Sequence, residues 1–241
     1  MKSGEKILVV IPAYNEGESV EKVILDVRRY IAEADILLVN DGSTDLTSDR
    51  ARSCGVLVLD LPFNLGIGGA VQTGYKYAYK KGYSIAIQVD GDGQHDPKEI
   101  PKLLEVLKKE KVDMVIGSRF LGHTEYKSSI MRRLGITIFC GVISTIVGQK
   151  ITDPTSGFRA ANRKVIQLFA SNYPQDYPEP EAVVLLHRCH LRMGEAPVEM
   201  SVRYAGESSI TKIKSAYYMV KVLLAILVGC FKKRPSLWGG G

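Results

Sequence analysis

The sequence predicts an α/β domain, a largely parallel β-sheet with helices on both faces. Short runs of branched apolar residues recur through the first half without polar alternation, as strands covered on both faces require. Segments with apolar residues at helical spacing separate these runs. Polar, acid-bearing loops follow several of the runs directly, where open α/β sheets bind ligands beyond the carboxyl ends of their strands.

Taken in order, 7–11 (ILVVI) reads as the first strand and 19–34 as the first helix. The strand 36–39 (ILLV) is followed by a helix at 46–54, and 56–59 (VLVL) by a helix at 67–81. The strand 85–89 (IAIQV) leads to a helix at 97–111, and 114–116 (MVI) closes the regular half. Strand, helix, strand, repeated, is the pattern of a parallel sheet with helical crossovers. Beyond residue 117 the pattern loosens, interrupted by Asp153-Pro154-Thr155-Ser156-Gly157-Phe158-Arg159 and by the proline-bearing stretch 173–180. This half is expected to complete the sheet and to supply the acceptor side of the site.

The chain has 241 residues, 45% hydrophobic and 24% charged, enough for one large domain with a sizeable core. Its 32 basic and 26 acidic residues give a formal charge of +6, which suits phosphorylated small molecules, anionic membranes or nucleic acid without choosing among them. Cys54, Cys140, Cys189 and Cys230 show neither CxxC spacing nor a histidine cluster, so neither a zinc site nor a disulfide framework is expected. The first strand begins almost at the N-terminus, with no leader pattern before it, which points to the cytoplasm.

The loop after the fourth strand carries the strongest chemical signal. Asp90 and Asp92, separated by Gly91 at a strand end, can share a divalent cation bound to phosphate oxygens, and glycine lets the backbone approach a ligand. Mg²⁺ or Mn²⁺ suits such ligands. Gln94 can add a carbonyl ligand or position a sugar hydroxyl, with His95 a weaker neighbour; the plain alternative is an Asp- and Gly-rich turn. After the second strand, Asp41 can accept hydrogen bonds from a base or a ribose, while Ser43 and Asp45 also suit a helix cap. After the first strand, Tyr14 can stack on a base and Glu16 bind ribose hydroxyls, although Asn15 and Glu16 equally read as a helix start. Asn64-Leu65-Gly66-Ile67-Gly68-Gly69 has the look of a phosphate loop, yet it is no Walker sequence and lacks the Rossmann glycine spacing at the first strand. An ordinary dinucleotide or P-loop site is therefore excluded.

Taken together and in order, several segments resemble the family 2 glycosyltransferases of GT-A fold, especially the polyprenol-phosphate mannose and glucose synthase branch. They are Ile11-Pro12-Ala13-Tyr14-Asn15-Glu16, Val39-Asn40-Asp41-Gly42-Ser43-Thr44-Asp45, Asn64-Leu65-Gly66 with Gly68-Gly69-Ala70, Val89-Asp90-Gly91-Asp92-Gly93-Gln94, Gly117-Ser118-Arg119-Phe120, the 153–159 segment, and Arg203-Tyr204-Ala205-Gly206-Glu207-Ser208-Ser209. The resemblance implies a GT-A fold and an inverting transfer from a UDP- or GDP-sugar. Pro12, Ala13, Tyr14, Glu16 and Asp41 would bind the nucleoside, with Ser43 and Gly68 on the donor side. Asp90 and Asp92 would form a DxD-like motif whose metal, Mg²⁺ or Mn²⁺, bridges the donor diphosphate. Asp92 and Gln94 are the first expected metal ligands, with Asp90 nearer the donor or sharing the ion. Arg119, Arg159 and Arg203 are candidate phosphate clamps, since guanidinium binds phosphate in bidentate fashion; each also reads as an ion-pair partner. The domain would run over 1–238, with a nucleotide-sugar half at 1–116, an acceptor half at 117–212 and an interfacial helix at 213–234.

The departure from that branch is Tyr177-Pro178-Glu179-Pro180-Glu181. A phosphate acceptor is already a nucleophile, whereas a sugar hydroxyl must lose a proton to a base. Glu181, with Glu179 as alternate, is the candidate base unless the pair only lines a solvated loop, and Asp153 is another unless Asp153-Pro154 is only a turn. The acceptor is thus a polyprenyl phosphate or a lipid-linked glycan.

Two apolar stretches, 134–148 (LGITIFCGVISTIVG) after Met131-Arg132-Arg133 and 222–231 (VLLAILVGCF) before Lys232-Lys233-Arg234, fall short of the about 20 residues a spanning helix needs. They read either as buried core helices or as contacts with anionic headgroups, placing the enzyme peripherally on the cytoplasmic face of a membrane. They can also pair between subunits in a homo-oligomer. Nucleic acid is not expected as a partner. The alternative readings are a nucleotidyltransferase that makes nucleotide-sugars, which would place a basic glycine-rich signature after the first strand, and a non-catalytic nucleotide-sugar or membrane-binding module.

Overall fold

The computed structural model describes residues 5–121, 130–201, 212–231 and 235. The early elements appear where the pattern places them. Strands β1 (Ile7–Ala13), β2 (Asp35–Asn40), β3 (Leu57–Asp60), β4 (Ile85–Gln88) and β5 (Met114–Ser118) alternate with helices α1 (Val20–Tyr30), α2 (Thr47–Ser53), α3 (Gly66–Lys80) and α4 (Ile100–Lys109). A 3-10 turn at Pro97–Glu99 precedes α4, closed by the Asp96 side chain accepting the Lys98 N–H. The second half supplies α5 (Ile130–Val147), β6 (Arg159–Asn162), α6 (Arg163–Ser171), α7 (Pro178–Arg188), β7 (Met193–Pro197) and α8 (Lys212–Phe231).

All strands form one sheet of order β3-β2-β1-β4-β6-β5-β7. Every pairing is parallel except those of β6, which runs antiparallel to both β4 and β5. That reversal has a functional consequence. The N-terminal residue of β6, Arg159, lies opposite Gln88 of β4 and Ile116 of β5, so the 153–158 segment before it opens at the carboxyl ends of the parallel strands.

The two faces of the sheet carry separate cores. Leu8, Val10 and Ala86 pack with Tyr75 of α3, Phe169 of α6 and Val183 of α7, and α5 and α8 extend that layer. Ile7, Val9 and Ile11 face Val20, Val23, Ile24 and Val27 of α1 and Leu103 and Leu107 of α4. Burying each such aliphatic side chain stabilises the fold by about 1.5–3 kcal/mol relative to exposure. Helix α3 lies so close to β1 that a Cβ on Gly74 would stand 2.2 Å from Val10 Cγ1.

The apolar stretch at 134–148 belongs to α5, which buries Phe139, Ile143 and Val147 and leaves Ile138 exposed. The stretch at 222–231 belongs to α8. It buries Val222 and Ile226 against the rest of the domain, while Leu224, Leu227, Val228 and Phe231 form an exposed stripe at helical spacing. Among the described residues no helix is long and apolar enough to cross a membrane.

Candidate active site

The loops after β1, β2 and β4 meet at the carboxyl edge of the sheet and are tied together mainly through backbone groups. The Asp41 N–H donates to the Ala13 carbonyl at 2.8 Å, and the Gly91 N–H to the Pro12 carbonyl at 3.3 Å. Asn15, held at φ 55°, donates its N–H to Ser43 Oγ at 2.9 Å and accepts the Thr44 N–H on Oδ1 at 2.9 Å. The Gly17 N–H reaches Asp45 Oδ2 at 2.9 Å, and Asp45 Oδ1 accepts the Thr47 N–H at 3.0 Å. Burial pushes the Asp45 carboxyl up, but hydrogen bonds from the Thr47 side chain and from the Gly17 and Thr47 N–H groups outweigh it and hold the group below its ordinary value. Asp45 therefore holds the turn into α2 from the residue before its N-cap, Leu46, and ties it to Gly17, while Ser43 joins the first loop to the second.

Asp41 is buried, and its Oδ1 accepts the Leu65 N–H at the start of α3 at 2.7 Å. Burial raises its carboxyl above the ordinary range, opposed by the Leu65 and Gly66 N–H groups. Tyr14 stands 47% exposed at the rim, with Glu16 partly exposed behind it. Gly68 does not line an open loop. A Cβ there would sit 2.7 Å from the carbonyl oxygens of Pro174 and Gln175, so its bareness admits the segment after α6 against α3.

Behind the third loop lies a layer of fixed partners. Gly91 packs against β1, where a Cβ would approach Ala13 Cβ and the Pro12 carbonyl at 3.2 Å. Ser19 Oγ donates to the Gly91 carbonyl at 2.7 Å and stands 3.0 Å from Glu16 Oε2. Asp92 is buried, and its Oδ1 accepts the Gln94 N–H at 2.9 Å, while Asp90 and Gln94 are more open. Gln88 Nε2 donates to Asp90 Oδ1 at 3.0 Å. Among the described residues no group of three or more His, Cys, Asp and Glu side chains is arranged to hold a metal. A carboxylate pair with an exposed amide nearby fits a hard cation whose remaining ligands are phosphate oxygens and water, the usual mode for Mg²⁺ at phosphate sites.

The 152–159 segment is fixed by charged side chains from β5, β6 and β7 and the residues that follow them. Arg119 grips Asp153 in bidentate fashion, Nε to Oδ2 at 2.7 Å and Nη2 to Oδ1 at 2.8 Å, with Nη2 also donating to Thr155 Oγ1 at 3.0 Å. Glu195 of β7 organises the same loop, its carboxylate accepting the Thr152 N–H at 2.9 Å and the Asp153 N–H at 3.0 Å, while burial pushes its carboxyl up. Asp153 is fully buried in this pair, an unfavourable place for the base expected of it. Arg159, expected as a phosphate clamp, is also buried. Its Nε and Nη2 hold the carbonyls of Ser156 (2.8 Å), Pro154 (3.0 Å) and Glu179 (2.8 Å), so it struts the 153–158 segment against α7, while its buried Nη1 has no hydrogen-bond partner among the described residues. Arg203 lies outside the described residues.

The two candidate glutamates separate. Glu181 Oε1 turns back to accept the Tyr177 N–H at 3.1 Å, capping its own helix. Glu179 instead lies within electrostatic reach of Arg159 and Asp90. Burial raises its carboxyl above the ordinary range, the Arg159 guanidinium opposes that shift and Asp90 adds to it. Sequence reasoning missed Ser19, Gln88 and Glu195. Gln88 left one signal, a polar residue inside an otherwise apolar strand; Glu195, within MGEAP, left none.

The family model for Glycosyl transferase family 2 matches residues 8–169. The undecaprenyl-phosphate mannosyltransferase of Micrococcus luteus is 30% identical over 215 residues, covering 86% of this chain and 88% of that protein. The UDP-N-acetylglucosamine–dolichyl-phosphate N-acetylglucosaminyltransferase of Methanococcus voltae is 27% identical over 213 residues, covering 80% and 84%. Among solved structures, glucosyl-3-phosphoglycerate synthase from Mycobacterium tuberculosis, in complex with Mn²⁺, UDP-glucose and phosphoglyceric acid, superposes with a TM-score of 0.72 at 21% identity, covering 95% of this chain and 81% of that one. The family match runs from β1 into α6 and takes in the loops after β1, β2 and β4 and the 153–158 segment, and the chain belongs to glycosyltransferase family 2, as a transferase of GT-A fold.

Proposed function

We propose that the chain transfers a sugar, with inversion, from a UDP- or GDP-sugar to a polyprenyl phosphate. The observation that carries this is the meeting of the first, second and fourth strand loops at one edge, with Asp41 and Glu16 beside the Asp90-Gly91-Asp92 turn. In this reading Tyr14 stacks on the base, Glu16 and Asp41 hold base and ribose, and Pro12 and Ala13 shape the floor. Asp90, Asp92 and Gln94 hold Mg²⁺ or Mn²⁺, which when bound neutralises charge on the departing nucleoside diphosphate. Arg119, held rigid by Asp153, presents positive charge toward the phosphates. The names of the Micrococcus and Methanococcus relatives favour a lipid phosphate, which needs no deprotonation before attack.

Glu179 supports a second reading. A carboxyl raised by burial beside Asp90 suits a base that takes the proton of a sugar hydroxyl, so a lipid-linked glycan is the competing acceptor. Incubation with UDP- and GDP-sugars and either undecaprenyl phosphate or a lipid-linked glycan separates the two. Sugar appearing on the lipid phosphate supports the first reading; transfer only to the glycan overturns it.

Helix α8 supplies the membrane side of the proposal. Its exposed Leu224, Leu227, Val228 and Phe231 run toward the sequence Lys232-Lys233-Arg234, which itself lies outside the described residues. An apolar stripe followed by basic residues matches an anionic bilayer surface, on the cytoplasmic face in this reading. L227E/V228E is expected to lower sedimentation with anionic vesicles at unchanged thermal stability. Sedimentation equal to wild type would refute the assignment, and a loss of self-association in that variant without any vesicle binding would point to a subunit contact instead.

A further inference from the structure

The His95 ring is buried beside Asp90 in a setting that fixes it from three sides. Its Nδ1 accepts the Asp90 backbone N–H at 3.0 Å, which leaves the ring proton on Nε2. Nε2 faces Asp90 Oδ2 at 3.6 Å, longer than a hydrogen bond but within electrostatic reach. Phe158 stacks on the ring, with centroids 5.0 Å apart and planes inclined by 12°. Gly157 makes this approach possible, since a Cβ there would stand 2.8 Å from Gln88 Nε2, 3.3 Å from Asp90 Oδ2 and 3.4 Å from His95 Cε1.

The same residue is therefore addressed at its backbone N–H and at both carboxylate oxygens. Gln88 Nε2 donates to Asp90 Oδ1, His95 Nε2 faces Oδ2, and His95 Nδ1 holds the main chain. The Asp90 side chain is 33% exposed, so these contacts on its inner side restrict how the carboxylate turns toward solvent. The histidine itself is 4% exposed and offers no open ligand position at the surface.

We propose that His95 is a positioning residue that sets the rotamer and main-chain course of Asp90 for the divalent cation, with the Phe158 stack and the Gly157 gap holding the ring in place. This rests on the reading of Asp90 and Asp92 as metal ligands. Partners of this kind orient a ligand before the metal arrives, and their loss typically weakens metal binding about 10- to 100-fold.

The test is Mn²⁺ binding, read by the loss of the free-ion electron paramagnetic resonance signal in the presence of UDP or GDP, alongside thermal melting. His95→Phe keeps a ring to stack on Phe158 and removes both nitrogens; it is expected to weaken Mn²⁺ binding about tenfold or more. His95→Asn returns an acceptor near the Nδ1 position and is expected to recover most of that loss, whereas His95→Gln, with a donor near Nε2 and nothing near Nδ1, recovers less. A purely structural role would track melting temperature and would not separate Asn from Gln at matched stability. Should His95→Phe fail to fold, the Asn and Gln pair carries the test alone. Equal Mn²⁺ affinity in all folded variants and wild type overturns the proposal while leaving the metal site standing. Wild-type protein that takes up no Mn²⁺ with either nucleotide removes the metal reading and this inference with it.

Discussion

The loops after β1, β2 and β4, the proposed donor side, and the 152–159 segment, the proposed acceptor side, are held by different physics. On the donor side, loops one or two residues beyond β1, β2 and β4 are pinned to each other by backbone hydrogen bonds and by short side chains such as Ser43, Ser19 and Asp45. On the acceptor side, the 152–159 segment is held by charged side chains reaching across the fold: Glu195 accepts the Thr152 and Asp153 N–H groups, Arg159 donates to the Glu179 carbonyl, and Arg119 and Asp153 form an ion pair. Backbone-mediated links tolerate side-chain change outside the motif. The Arg119–Asp153 pair does not, because losing the arginine leaves a buried carboxylate uncompensated.

The largest stability effect is expected on the acceptor side. Arg119→Ala strips the fully buried Asp153 of its counterion and should cost about 3 kcal/mol, measured by denaturant unfolding, along with most transfer activity. Asp153→Asn with Arg119→Ala in the same chain should recover part of the stability and none of the activity; an additive loss would mean that the two residues do not act as a pair. On the donor side, Gly74→Ala forces α3 away from Val10 and should cost about 1–3 kcal/mol by the same measurement, while a loss below that range would show that the contact relaxes easily.

The smallest effect concerns Glu179 and has a definite sign. Its carboxyl is raised in the folded state, so between its ordinary value of 4.5 and the folded value the native protein binds more protons than the unfolded chain. Stability then falls as pH rises through that window, since stability rises with pH only where the unfolded state binds more protons. Glu179→Gln should therefore be more stable than wild type at neutral pH and lose that advantage below about pH 4. An advantage that persists unchanged into acid would refute the burial argument.

The same contrast explains what was legible in the sequence. The order of β1, β2, β3, β4 and β5 with their helices follows from apolar runs and helical spacing, and the donor loops follow because their residues sit directly after those runs. Strands β6 and β7 were not individually legible. Arg159-Ala160-Ala161-Asn162 forms a central strand from two alanines, each fully buried, between an arginine and an asparagine, and no apolar run announces it. Its reversed direction, which brings the 153–158 segment to Asp90, depends on pairing with strands about 40 and 70 residues away in sequence. Asp153 and Arg119 were singled out separately, as a base and a phosphate clamp. Only the three-dimensional pairing shows them gripping each other, because no spacing rule links residues that far apart. The sequence ranks Glu181 ahead of Glu179 as the candidate base, whereas in the fold Glu181 turns back to the Tyr177 N–H and Glu179 is the one within electrostatic reach of Asp90.

The most direct test of the central claim is the thermal stability of wild type and Asp92→Ala with UDP or GDP, each with and without Mn²⁺ or Mg²⁺. A ligand at about 100 times its dissociation constant stabilises the folded state by about 2.7 kcal/mol. In a chain of this size that corresponds to a rise of about 5–10 °C in melting temperature. The account predicts such a rise in wild type with one nucleotide, only when metal is present, and none in Asp92→Ala relative to that variant's own ligand-free melting temperature. Stabilisation that ignores metal, or that persists in Asp92→Ala, would contradict it.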